Sequence, residues 1–480
     1  MDKPIRVTIV GVWQESLDSF PSDAWFVDGF GARIGETRVE AGTDGSILYV
    51  GLGSAMEPSL GAIRRAGMAA GRKLVESLPR VIRADSLVKP VVATSSFHTE
   101  QLPTPTVLSA VAEGLSYGGY RFRLLPDLEQ SSLTPTYTVD DRVTGHDLTA
   151  WNTGLLVGSA VNTARSLVNM PPSLLTPEAF AQRMISLVTG SAIQVRVRDE
   201  DELTAEGFGG ILAVGRGSHY APKLLELRYG NGNPDLAMVG KGVTFDSGGL
   251  SLKQPDALMT MKSDMSGAAA VCAAFSILPT VAPDRSFVGI IPLVENMPGA
   301  RAIRPGDVVE LRSGHTIEIL NTDFEGRVIL ADALTRAAEF FPRAILDMAS
   351  LTYAATHALG DNLAALVTND DAFSSLIEAA AAASGDGVWR MPLQPDLAFQ
   401  IASDIADFSN FPGSRSARVS SAALLLSQFV PAGTQWGHVD MCGPSWRDHV
   451  SRWGTSGGTG YGVRLIIELA QRLGQPPAVP

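Results

Sequence analysis

Over the first 130 residues, short β-rich runs alternate with helical stretches. "IRVTIVGVW", "SILYVGLG", "PVVATSSF" and "RFRLLP" read as strands, while 57–78 and 106–117 read as helices. Strands alternating with helices predict an α/β unit built on a mainly parallel sheet. "SSLTPTYTVDDRVTG" (131–145) is rich in turn formers and reads as a linker. A long helical pattern then runs from about Asp147 to Val168 and stops at the paired prolines of "NMPPSLLTP". Beyond it the alternation resumes. "IQVRVRD", "LLELRYG", "DLAMVGKGVTF", "RSFVGIIPLVEN", "TIEIL" and "AILDMASLT" read as strands, and 267–278, 328–341 and 421–430 as helices. The pattern predicts an N-terminal α/β domain over 1–145, a linking helix over 146–168 and a larger α/β domain over 169–480. In such sheets, ligands bind beyond the carboxyl ends of the strands.

Composition narrows the class of function. At 480 residues, 45% hydrophobic and 18% charged, the chain is long enough for a sizeable core and too apolar for disorder. A net charge of -12 argues against a sequence-independent nucleic-acid binder, which needs a basic face. No basic region leads into an apolar core at the N-terminus, and no run of about 18 apolar residues occurs anywhere, so neither a signal peptide nor a membrane span is expected. Cys272 and Cys442 are the only cysteines, which excludes a disulfide framework and argues against thiolate-built zinc or iron–sulfur sites. A cytoplasmic location is the simplest expectation.

Two short windows break the apolar rhythm with charge. "NTDFEGR" (321–327) carries Asp323, Glu325 and Arg327 between a strand and a helix. "VGKGVTFDSGGLSLKQPDALMTMKSDMSGAAA" (239–270) carries Lys241, Asp246, Lys253, Lys262 and Asp264 among apolar and glycine residues. Each falls where a loop at a strand's carboxyl end would present it. Any single aspartate here has a bland reading as a helix N-cap or a surface ion pair. Their grouping into two short windows, with apolar flanks and "DSGG", points instead to convergence. Four carboxylates share a pocket only if cations neutralise them, and an oxygen-rich set suits divalent metal.

These windows carry a family resemblance. "VGKGVTFDSGGLSLK", "MKSDMSGAAAV", "VENMPGARAIRPGDVV" and "NTDFEGR" resemble the cytosolic leucyl aminopeptidase family of dinuclear metal peptidases. The likeness extends through "SLVNMPPSLLTPE", "GRGSHYAPKLLELRY", "DMASLTYAATHALGDNLAALVTND", "SARVSSAALLLSQFV", "WGHVDMCG" and "GGTGYGVRLIIELA", so it covers about 150–475. The NTDxEGR signature joined to the upstream K-x4-D-x6-K-x10-D spacing is highly specific.

The resemblance implies a fold, a ligand set and a reaction. The fold is a smaller N-terminal α/β lobe and a larger C-terminal α/β domain, the catalytic one, with a central mixed sheet flanked by helices. Two divalent ions per subunit are implied, one held by Asp246, Asp323 (carboxylate and main-chain oxygen) and Glu325, the other by Lys241, Asp246, Asp264 and Glu325. Zn, Mn, Co and Mg all suit such donors. Lys241 ligates only as the neutral amine. The implied reaction is hydrolysis of the first peptide bond of a peptide with a free N-terminus by water activated between the two metals, with Lys253 stabilising the oxyanion. Arg327 holds a bicarbonate ion that relays the proton to the leaving amine. Met261, Leu351, Tyr353 and Gly458 line the pocket for the N-terminal side chain, and the assembly implied is a homohexamer.

The chain departs from the family pattern at two informative places. Phe324 stands where alanine is usual, and "SLTYA" places Tyr353 where the family has glycine. A phenol ring there leaves two readings open: it swings out and packs elsewhere, or it reshapes the pocket. A specialised member trimming the N-terminal residue of a natural-product precursor peptide, as in bottromycin-type pathways, is therefore an alternative. So is a non-catalytic DNA-binding or scaffold role, against which the retained ligand set and the net acidity both argue. Other motifs lead nowhere. "GTSGG" (454–458) fits a hydrolase elbow, but no Asp or His follows Ser456; "GLGSAM" lacks the third Rossmann glycine; "VGKGVT" lacks the first glycine of a phosphate loop. His438 reads as a structural strand residue.

Overall fold

The computed structural model describes residues 5–19, 29–42, 45–77, 88–122, 132–133, 135–449 and 456–474. The chain divides into two compact units: Met1–Asn162 with His449–Ser456, and Thr163–Asp448 with Gly457–Pro480. The division at 162/163 falls inside the long helix Gly145–Asn169, which ends just before the two prolines.

In the first unit, Ile5–Trp13 lies at the centre of a five-stranded sheet, parallel to Gly45–Gly53 on one side and to Val88–Val92 on the other. Only Thr37–Gly42 runs antiparallel, so the mainly parallel expectation holds. The stretch read as a strand over 90–97 keeps that conformation only to Val92 and then turns through a short 3-10 segment. "RFRLLP" is a strand at Arg121–Phe122; its remaining residues, like 131 and 134 of the turn-rich stretch, lie outside the described residues. The helices Leu60–Ser77 and Thr104–Gly118 pack backbone to backbone. A Cβ on Gly118 would sit 1.9 Å from the Met68 carbonyl oxygen, so glycine is what permits the approach.

The second unit is built on a nine-stranded mixed sheet. Its order is Val388–Arg390, Ala364–Thr368, Gln435–Asp440, Ala344–Ala349, Leu236–Gly240, Phe287–Asn296, Lys223–Tyr229, Gln194–Arg198, with Gly242–Asp246 paired to the far end of Phe287–Asn296. The central strands are parallel; Ala364–Thr368 on one side and Lys223–Tyr229 and Gln194–Arg198 on the other are joined by antiparallel pairings, and the edge strand Val388–Arg390 runs parallel to Ala364–Thr368. All ten residues of Phe287–Asn296 are buried, as expected of a strand covered on both faces. Ile345, Val239, Ile290, Leu334 and Trp436 are among the fully buried side chains of this core. Among the described residues, no helix is long and apolar enough to cross a membrane.

One difference from the pattern positions the site. "DLAMVGKGVTF" reads as a single strand, but it is two, broken at Lys241. Up to Gly240 the strand pairs on both sides, with Ala344–Ala349 and with Phe287–Asn296. After Lys241 it follows only Phe287–Asn296. Lys241 N still donates to Met348 O (3.0 Å), and its carbonyl accepts from Ala268 N (2.9 Å) at the start of helix Ser266–Phe275. The sheet therefore splays where apolar periodicity is uninterrupted but hydrogen-bond partners change.

Candidate metal centre

The splay delivers Lys241 into a buried group of acids. Its Nζ lies 2.7 Å from Asp264 Oδ2 and 3.0 Å from Glu325 Oε1, and donates to the Ser350 carbonyl at 3.0 Å. Asp246, at the end of the second half-strand, accepts from Gly248 N and Asn296 Nδ2, both at 2.8 Å, through Oδ1. Its Oδ2 meets Lys253 Nζ at 2.9 Å, and the same ammonium contacts Asp323 Oδ1. Lys241, Asp246, Asp264, Asp323, Glu325 and Lys253 thus form one connected cluster. Asp246, Asp323 and Glu325 present oxygens that all lie within 4.8 Å of one another.

Local structure explains how the loops hold. Gly248 and Gly249 both adopt positive φ (+85° and +64°), which lets "DSGGLSLK" turn back so that Lys253 N bonds Ser247 O at 2.9 Å. Thr322 and Ser251 exchange hydrogen bonds between the two charged loops (2.8 and 3.1 Å), and Thr322 Oγ1 donates to Gly248 O (2.6 Å). Glu325 precedes helix Gly326–Ala338, and a Cβ on Gly326 would lie 2.6 Å from Lys241 Cε. Glycine is required there to admit the lysine.

Electrostatics are strained in a consistent direction. Burial works against the charge on Lys241 and Lys253, but the surrounding carboxylates outweigh it and raise both above the ordinary lysine value. Burial, together with Asp246 close by, raises Asp323 and Glu325; burial first, with Asp246 and Glu325 adding, also raises Asp264 against the pull of Lys241. Arg327 is buried, its pKa pulled down to about 10 by desolvation, and its Nε and Nη1 have no hydrogen-bond partner among the described residues. Two lysines against four carboxylates leave negative charge uncompensated in a dry place. That excess, and hard oxygen donors beside one amine, fit bound divalent cations.

The residues expected to line a substrate pocket are placed less uniformly. Tyr353 is half exposed; its hydroxyl lies 4.0 Å from Met261 Sδ and its ring centroid 5.8 Å from Lys253 Nζ. Leu351 borders Gly326 beside Lys241. Gly458 lies against the end of the long helix, where its N–H donates to Asn169 Oδ1 at 2.9 Å. Residues 454 and 455 of "GTSGG" lie outside the described residues. His438 is a buried strand residue whose Nδ1 pairs with Asp347 at 2.5 Å.

Several supporting residues escaped sequence reasoning. Asn296 ties Asp246 to the Thr322 carbonyl (3.0 Å). Ser350 Oγ donates to Asp264 at 2.8 Å. Asn410 accepts from Leu320 N and donates to Asn321 O, pinning the second charged loop. Asp440 accepts from Leu351 N, Thr352 N and Thr352 Oγ1, fixing the entry to helix Tyr353–Leu359. Asn296 and Asp440 both end apolar strands, the one available signal.

The model of the cytosol aminopeptidase family, catalytic domain, matches residues 162–467. A probable cytosol aminopeptidase of Syntrophotalea carbinolica is 38% identical over 98% of this chain and 93% of its own length. One from Roseiflexus castenholzii is 36% identical over 96% and 95%. Among solved structures, the bottromycin maturation enzyme BotP in complex with Mn is similar with a TM-score of 0.87 at 36% identity, covering 98% of this chain and 99% of that one. The cytosol aminopeptidase from Coxiella burnetii is similar with a TM-score of 0.82 at 26% identity, covering 98% of both.

Proposed function

Because the chain belongs to the cytosol aminopeptidase family and is a metal-dependent aminopeptidase, we propose that its buried acidic cluster holds two divalent ions and cleaves the first bond of peptides with a free N-terminus. Asp246, Asp323 and Glu325 would hold one ion; Lys241, Asp246, Asp264 and Glu325 the other. Bound there, the ions supply Lewis-acid polarisation of the scissile carbonyl and a water acidic enough to attack near neutral pH. Lys241 serves this set only after losing the proton that its carboxylate neighbours now hold on it. Lys253, kept charged by the same neighbours, donates to the oxyanion as the carbonyl becomes tetrahedral. Arg327 would hold bicarbonate, which supplies a proton carrier between water and the leaving amine; a buried guanidinium with unpartnered N–H groups supports that role.

The observation that carries the reading is the approach of three carboxylates within 4.8 Å while only two lysines compensate four acids. Metal analysis on protein purified without added ions, followed by back-titration against hydrolysis of Leu-p-nitroanilide, tests it. Two ions per chain at full activity are expected; full activity at one ion, or in excess chelator, would end it.

Substrate preference turns on Tyr353. Its ring stands next to Met261 and Lys253 rather than packing away from them, which favours a reshaped pocket. Tyr353→Gly is expected to change the ratio of kcat/KM among Leu-, Met- and Phe-amides by about 5- to 100-fold, the range apolar pocket shape commands. Identical ratios in both proteins would exclude a role in specificity. The likeness to BotP and the tyrosine together favour a second reading, trimming of a natural-product precursor peptide. We further propose a cytoplasmic homohexamer, which light scattering would test.

A further inference from the structure

Phe324, which stands where the family pattern has alanine, has a distinctive set of neighbours. The Arg327 guanidinium carbon lies 4.8 Å from its ring centroid and that of Arg418 lies 5.4 Å away. Phe411 meets the ring edge-on, with centroids 4.9 Å apart at 81°. One phenyl group therefore serves two like charges, and the two differ in what else holds them. Arg418 donates through Nε to Ser414 O at 3.1 Å. Arg327 is almost wholly buried, and its Nε and Nη1 lack hydrogen-bond partners among the described residues. A guanidinium taken out of water needs a partner, and a π-face supplies one without consuming its N–H groups.

We propose that Phe324 is a positioning residue that holds the Arg327 guanidinium through its ring, leaving the unpartnered N–H groups available to the reaction. This rests on the reading of Arg327 as a participant in catalysis. A ring that merely filled space would be replaceable by leucine, whereas one acting through its quadrupole is not. The backbone of the residue is pinned separately, with Phe324 N bonded to Asn321 O at 3.2 Å and Asn410 Nδ2 to Phe324 O at 3.3 Å. Exchange of the side chain should therefore leave Asp323 and Glu325 where they are. Arg418 adds a second expectation: once the ring is gone, its repulsion on Arg327 is no longer offset.

The test is steady-state kinetics on Leu-p-nitroanilide with Mn-loaded full-length protein, alongside metal content and thermal melting. Phe324→Leu should lower kcat about tenfold with KM and metal content unchanged, and Phe324→Tyr should recover most of that rate. Phe324→Leu/Arg418→Gln should be faster than Phe324→Leu alone. The proposal is overturned if Phe324→Leu matches wild type while Arg327→Gln is slow, or if the leucine variant loses metal or raises KM instead. Should Arg327→Gln keep the wild-type kcat, the premise about Arg327 falls and the positioning role falls with it.

Discussion

Asp246→Asn is expected to cost the enzyme its metal and at least about 10³-fold in kcat/KM, because this carboxylate, like Glu325, belongs to both proposed ligand sets. The amide has nearly the same shape, so the effect isolates charge and donor pattern. One carboxylate oxygen accepts from Gly248 N and Asn296 Nδ2 and the other faces the Lys253 ammonium. Whichever way the amide is turned, its NH2 meets a donor where an acceptor is needed. The metal-free variant should nevertheless fold, since Asp246 heads the like charges acting on Asp323 and Glu325, and removing it relieves repulsion. The measurement is paired: metal content by elemental analysis, and the rise in Tm on adding Mn, which wild type should show and the variant should lack. A variant that keeps two ions, or stays within about tenfold of wild-type kcat/KM, would show that Asp246 is not a shared ligand.

Lys253→Met should lower kcat about 10²- to 10³-fold, the usual cost of removing one oxyanion donor, while metal is retained. Methionine preserves the length and apolar stem of the side chain without its charge. Lys253 contacts Asp246 and Asp323, two of the proposed ligands. Deleting a cation from that pair should hold or tighten metal binding, whereas a residue that merely braced the loop would loosen it. A kcat within about fivefold of wild type, or a loss of metal, would remove Lys253 from the chemistry.

The two predictions draw on different kinds of legibility. That Lys241, Asp246, Lys253, Asp264, Asp323 and Glu325 converge was readable because charge inside apolar flanks is costly and its clustering is visible in a string of letters. That the first unit of the chain builds a mainly parallel sheet, and the second a mixed one, was readable from alternating periods and, for the mixed sheet, from family resemblance. The break at Lys241 was not. It arises because one strand changes partners at its midpoint, and pairing is a property of distant segments, Ala344–Ala349 and Phe287–Asn296, rather than of the residues that break. Phe324 and Tyr353 were visible only as departures; which cations their rings would meet depended on Arg418 and Lys253, brought in from distant segments.

The sequence by itself determined the kinds of element, the division into a smaller and a larger α/β part, and the identity of the charged residues, because periodicity and burial cost act over a few residues at a time. Tertiary structure alone decided which acid meets which lysine, that Asn296, Ser350, Asn410 and Asp440 hold the loops in place, and that Arg418 comes to the Phe324 ring. Apart from Lys253 with Asp246, those contacts join segments tens of residues apart, where geometry is set by the packing of the whole sheet and no local pattern records it.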